Sequence, residues 1–97
     1  SLPSDNTVEI MYRVLENEGN AALENAKKIA AKSGVALVTH MKQGHAGTEI
    51  IALAQAENVD LVVAGSHGKS QTDRLLIGSV STYITAHSTV TTMVVRS

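Results

Sequence analysis

The chain has 97 residues, a net charge of −1, 43% apolar and 18% charged residues, no cysteine, and Tyr12 and Tyr83 as its only aromatic side chains. That is the composition of a globular chain with a single domain's worth of residues, which buries roughly 60–65% of its unfolded surface. It excludes a disulfide framework, a thiolate metal site and a cysteine nucleophile, an aromatic platform for single-stranded nucleic acid, and the basic footprint of a duplex binder, since the longest Lys/Arg run is Lys27-Lys28.

No apolar run approaches the roughly 20 residues of a membrane span, and no basic-then-apolar signal pattern opens the chain. The expected address is the cytoplasm, with neither nucleic acid nor membrane as partner.

The first element follows the cluster Ser4-Asp5-Asn6-Thr7, all competent helix caps. Met11, Leu15, Ala22, Ala26 and Ile29 then recur at helical steps opposite Glu16, Glu24, Lys27 and Lys28. This predicts a helix over 7–33, closed by Gly34. Two alternatives stay open: Val8, Ile10, Tyr12 and Val14 also alternate as a strand would, and Gly19 could break the helix. Val35 to Thr39 is short, apolar and β-rich, predicting a strand over 35–40.

Gly44 to Gly47 reads as a loop, and Thr48 as the candidate cap of a helix over 47–57 that ends near Asn58. Leu61-Val62-Val63-Ala64 has no polar residue, the mark of a strand covered on both faces; its range is 60–65. A helix over 78–87 and a strand over 91–96 complete the chain. Helix alternating with strand over short connections gives an α/β fold, a parallel sheet with flanking helices.

In such sheets ligands bind beyond the carboxyl ends of the strands. Gly65 and Gly68 stand at one such end, where a missing Cβ opens unusual backbone angles and lets a ligand approach the peptide plane. Gly78-Ser79-Val80-Ser81 opens a helix, whose first-turn N–H groups and dipole favour an anion. The Ser79 and Ser81 hydroxyls add donors, and Lys69 is near enough in sequence to add charge. The plainer reading is that both glycines serve tight turns, that His67 is solvated, that Thr72 and Asp73 are turn residues and that His87 answers a helix dipole. A phosphate-bound Mg²⁺ held by Asp73 is a further alternative.

Gly65-x-x-Gly68, nine residues, then Gly78-Ser79 resembles the nucleotide-binding signature of the ATP-binding branch of the universal stress protein family. Gly44 to Ile51, Asp60 to Gly68, Leu75 to Val80 and Met93 to Arg96 resemble further stretches of that family. The resemblance covers the chain from about Val8. It implies a nucleotide, ATP or AMP with or without Mg²⁺, lined by Ala64, Gly65 and Gly68 and held at its phosphates by Gly78, Ser79, Val80 and Ser81. It also implies a homodimer through the last strand.

The family's domain opens with two strands and a helix that complete the adenine pocket, and the resemblance starts after them. The expectation is therefore a truncated domain whose sheet has a gap, either completed by a longer chain, self-associating or strand-swapped, or repacked. Thr89 and Thr91 stand where the family commonly has prolines near its last strand.

Three functions follow from these readings. The first is a regulatory nucleotide-binding module that need not turn anything over. The second is a structural or dimerisation domain that has lost the nucleotide. The third is a slow ATPase or autophosphorylating protein with Ser79 or Ser81 as acceptor; no carboxylate is placed to activate a nucleophile, and no Walker-type Gly-Lys-Ser/Thr follows the required spacing.

Overall fold

The computed structural model describes residues 5–66 and 77–96, and the chain divides into two units, Ser1–Met41 and Lys42–Ser97. The first unit is built on helix α1, Asp5–Lys32. The helix is unbroken, so neither the strand alternative over 7–15 nor a break at Gly19 is realised. Its ion pairs, Arg13–Glu9 at 3.1 Å and Lys27–Glu24 at 2.9 Å, are both exposed, and such pairs add only about 0.3–0.5 kcal/mol each.

The helix ends in a Schellman turn. Gly34 adopts φ 67°, its N–H donates to the Ala31 carbonyl, and the Val35 N–H donates back to Ala30. The apolar stripe has the expected period but a different phase. Gly19, Leu23, Ala26 and Ala30 are half-buried, whereas Met11, Leu15 and Ile29 are exposed. The reason lies in the returning chain: a Cβ on Gly19 would stand 2.6 Å from Met41 Sδ, so the glycine is where the segment after Gly34 lies against α1.

No strand forms at 35–40, where the backbone is irregular. A strand exists by pairing, and among the described residues the sheet contains two strands, paired with each other. Val35, Leu37 and Val38 are accordingly exposed.

The second unit holds α2 (Ala46–Ala56), β1 (Leu61–Gly65), α3 (Ser79–His87) and β2 (Thr91–Val95). β1 and β2 pair in parallel from Leu61 opposite Thr91 to Gly65 opposite Val95. Parallel neighbours need a crossover, and α3 lies in it. The core joins Ala54 of α2, Val62 of β1 and Ile84 of α3, with Ala64 and Val90 packed against it. Both helices therefore serve the Val62/Ala64 side of the sheet. The expectation that β1 is covered on both faces is corrected by its alternation: Leu61 and Val63 are exposed, and so are Met93 and Val95 of β2. This is an α/β unit with a parallel sheet and helices on one described face.

α2 is capped by His45 rather than by Thr48: the His45 Nδ1 accepts the Thr48 backbone N–H at 3.2 Å. The cap lies three residues earlier because Gly47 is itself helical and buried. Asn58 in the left-handed region, φ 52°, closes the helix, with its N–H on Gln55 and the Val59 N–H on Ala54.

Candidate functional site

The candidate site forms where β1 ends and α3 begins. The Ser66 N–H donates to the Val95 carbonyl at 2.8 Å, extending the ladder one step past Gly65. The Ser66 carbonyl accepts the Gly78 N–H, and Gly78 is the residue that caps α3. One residue, Ser66, thus ties the end of the strand to the start of the helix. A second tie runs from the Ser81 hydroxyl, which donates to the Gly65 carbonyl. Ser81 is 3% exposed and Ser66 2%, so each tie has a buried partner, and the Ser81–Gly65 bond is partly shielded from water.

These ties fix the direction of the first turn of α3. The first bond closed within the helix runs from the Thr82 N–H to the Gly78 carbonyl at 3.0 Å. The N–H groups of Ser79, Val80 and Ser81 precede it and belong to the set a helix leaves without an i−4 partner. Gly78 brings no side-chain cap, and the first turn has no acidic residue. Donors, the positive dipole end and a turn without a carboxylate of its own together suit an anion such as a phosphate.

The residues named from the sequence separate into three groups. Gly65, Gly78 and Ser81 converge on the junction. Ser79 and Val80 follow directly, both exposed. Ala64 packs against the core, so it can line a ligand only with its backbone. Gly68 lies outside the described residues, as do His67, Lys69, Thr72 and Asp73. Two expected details change. Gly65 is not in the left-handed region; it is an ordinary strand residue, and its value lies in close approach rather than in an unusual φ. The Ser81 hydroxyl is spent on Gly65, so what that residue can offer an anion is its N–H.

Ser66 is the residue that spacing alone misses, because in Gly65-x-x-Gly68 it counts only as an x. Its hydroxyl is buried with no hydrogen-bond partner among the described residues. A second feature also escapes a sequence reading. Tyr83 stacks on His87, with ring centroids 4.0 Å apart, and meets His45 edge-on at 4.7 Å. The Thr48 hydroxyl reaches the Tyr83 hydroxyl at 3.3 Å. His87 in the last turn of α3 bonds the Tyr83 carbonyl through Nδ1 at 2.9 Å. This ladder of rings pins α3 to the start of α2.

The profile of the universal stress protein family matches residues 2–96. The chain belongs to that family. Universal stress protein MJ0531 of Methanocaldococcus jannaschii is 34% identical over 95 residues, 98% of this chain and 56% of the relative. Universal stress protein YxiE of Bacillus subtilis is 38% identical over 82 residues, 84% of this chain and 55% of the relative. The solved structure of hypothetical protein MJ0577 from M. jannaschii superposes with a TM-score of 0.82 at 29% identity, covering 92% of this chain and 62% of that one. The chain spans a little over half the length of these curated relatives. No described helix is long and apolar enough to cross a membrane.

Proposed function

We propose that this universal stress protein chain is a regulatory module that binds an adenine nucleotide, ATP or AMP, by its phosphates at the junction of β1 and α3. The observation that carries the reading is the Ser66–Gly78 bond, which sets the open first turn of α3 at the carboxyl end of β1. The Ser79, Val80 and Ser81 N–H groups hold the phosphate oxygens, Gly78 lets them approach, and Gly65 and Ala64 line the path with backbone. The family resemblance adds Gly68, which lies outside the described residues, and Mg²⁺ accompanies a triphosphate. Calorimetric titration with ATP and with AMP tests this. The chain binds, and Gly78→Val, which puts a branched side chain before the first turn, lowers the affinity at least tenfold, about 1.4 kcal/mol. No heat from the parent chain refutes it.

We further propose that the chain works as a homodimer or a strand-swapped oligomer through β2. The support is its exposed Met93 and Val95, which continue across the sheet into the exposed Leu61 and Val63; apolar strands with open edges invite pairing. Light scattering behind a sizing column shows a dimer or larger, and a stable monomer at high concentration refutes it. The same exposed residues favour the second reading, a structural dimerisation domain without nucleotide. It predicts the oligomer with no nucleotide heat.

A further inference from the structure

We propose that two copies of this chain pair through helix α1, side by side and antiparallel, on an apolar stripe that the fold leaves uncovered.

Every residue over 6–18 of α1 is exposed, and Val8, Met11 and Leu15 are among them with Ile10, Tyr12 and Val14. A helix in water takes most of its stability from packing an apolar face, and a continuous exposed apolar surface marks a place where another surface docks. The half-buried side of α1, Gly19, Leu23, Ala26 and Ala30, lies only in its second half. Beside it, Val8, Met11, Leu15, Ala22 and Ile29 form a second stripe along the whole helix, and all five are exposed. Its steps of three and four continue through Glu18, Asn25 and Lys32, the spacing at which two helices pack knobs into holes.

The residues of the stripe identify its occupant and the direction of approach. Positions seven apart fall into two rows, Val8, Leu15, Ala22 and Ile29 in one and Met11, Glu18, Asn25 and Lys32 in the other. A parallel pair sets each residue against its own copy, which places Glu18 on Glu18 and Lys32 on Lys32. An antiparallel pair sets one row against the other. With Met11 of one copy opposite Ile29 of the second, the layers join Val8 to Lys32, Leu15 to Asn25 and Glu18 to Ala22, and no layer holds two polar side chains. The Lys32 stem covers Val8 while its ammonium stays in water, and the short Ala22 leaves Glu18 room to turn outward.

The charges flanking the stripe agree. Glu9, Glu16 and Glu18 outnumber Arg13 in the first half of α1, and Lys27, Lys28 and Lys32 outnumber Glu24 in the second. Antiparallel pairing lays each acidic half along a basic one, which also steers the encounter. The surface belongs to the first unit, so this pairing stands or falls separately from the β2 contact and from the nucleotide.

The chain has no cysteine, so introduced cysteines report the pairing. Full chains carrying Met11→Cys or Ile29→Cys are oxidised separately and as an equal mixture, and disulfide-linked dimers are measured on non-reducing gels. Antiparallel pairing brings residue 11 of one copy to residue 29 of the other. It holds the two copies of residue 11 about 27 Å apart, far beyond the roughly 7 Å between Cα atoms that a disulfide spans. The mixture therefore links, and neither variant alone links above the level of an Arg13→Cys control on the opposite side of the helix. Adding Leu15→Glu to both chains abolishes the link while circular dichroism shows the helix kept. The proposal is overturned if either variant links to itself as readily as the mixture does, the sign of parallel pairing or random collision. It is equally overturned if the link survives Leu15→Glu, or if the mixture stays unlinked, the sign that something other than a second α1 covers the stripe.

Discussion

Gly47 and Tyr83 meet so closely that a Cβ on the glycine would stand 2.4 Å from Tyr83 Cδ1 and 2.9 Å from Cγ. The ring cannot easily give way, because it stacks on His87 and is reached by the Thr48 hydroxyl. Gly47→Ala gains helix propensity of about 1 kcal/mol but overpacks the contact by about 1–3 kcal/mol. The net expected outcome is destabilisation by about 1 kcal/mol, read by chemical denaturation. In a Tyr83→Ala background the same substitution becomes stabilising, and a double-mutant cycle reports the difference.

Gly19 offers the opposite case. Its virtual Cβ meets Met41 Sδ at 2.6 Å, the far end of a flexible thioether that can swing aside. Gly19→Ala keeps most of the propensity gain of about 1 kcal/mol and raises the stability of α1, read as higher helicity by circular dichroism.

His45 caps α2 through Nδ1. His45→Ala removes the cap and costs about 1 kcal/mol, while His45→Asn, an effective cap, restores most of it. Thermal melts of the three chains show this order, and equal melting of His45→Ala and the parent contradicts it.

Ile84 is fully buried at the meeting of α2, β1 and α3. In so small a core Ile84→Ala costs about 2–5 kcal/mol, enough to broaden or abolish the cooperative melt of a domain of this size.

What the sequence reveals here depends on whether a feature is local. α2, β1, α3 and β2 are legible because period, glycines and cap residues are neighbours in the chain, and the Gly78-Ser79 helix start falls at α3 for the same reason. The strand expected at 35–40 is not formed, because β character in Val35–Thr39 cannot supply a pairing partner. The phase of the α1 stripe depends on where Met41 returns, and periodicity does not encode that. At the candidate site, the glycine spacing marks the junction but cannot tell Ser66 from a spacer or show that the Ser81 hydroxyl is used inward. Both are facts about burial and partners.

Ser79→Asp tests the proposed phosphate site at the first turn of α3 with opposite signs in two readouts. Ser79 is exposed at the first position of α3, whose opening turn has no acid. A carboxylate there stabilises the helix by about 0.3–1 kcal/mol through its dipole and repels an incoming anion. Calorimetric titration of the parent and of Ser79→Asp with ATP, next to their thermal melts, is predicted to show binding by the parent and at least tenfold weaker binding by a variant that melts no lower. A parent that gives no heat, or a Ser79→Asp chain that binds ATP as tightly as the parent, contradicts the claim.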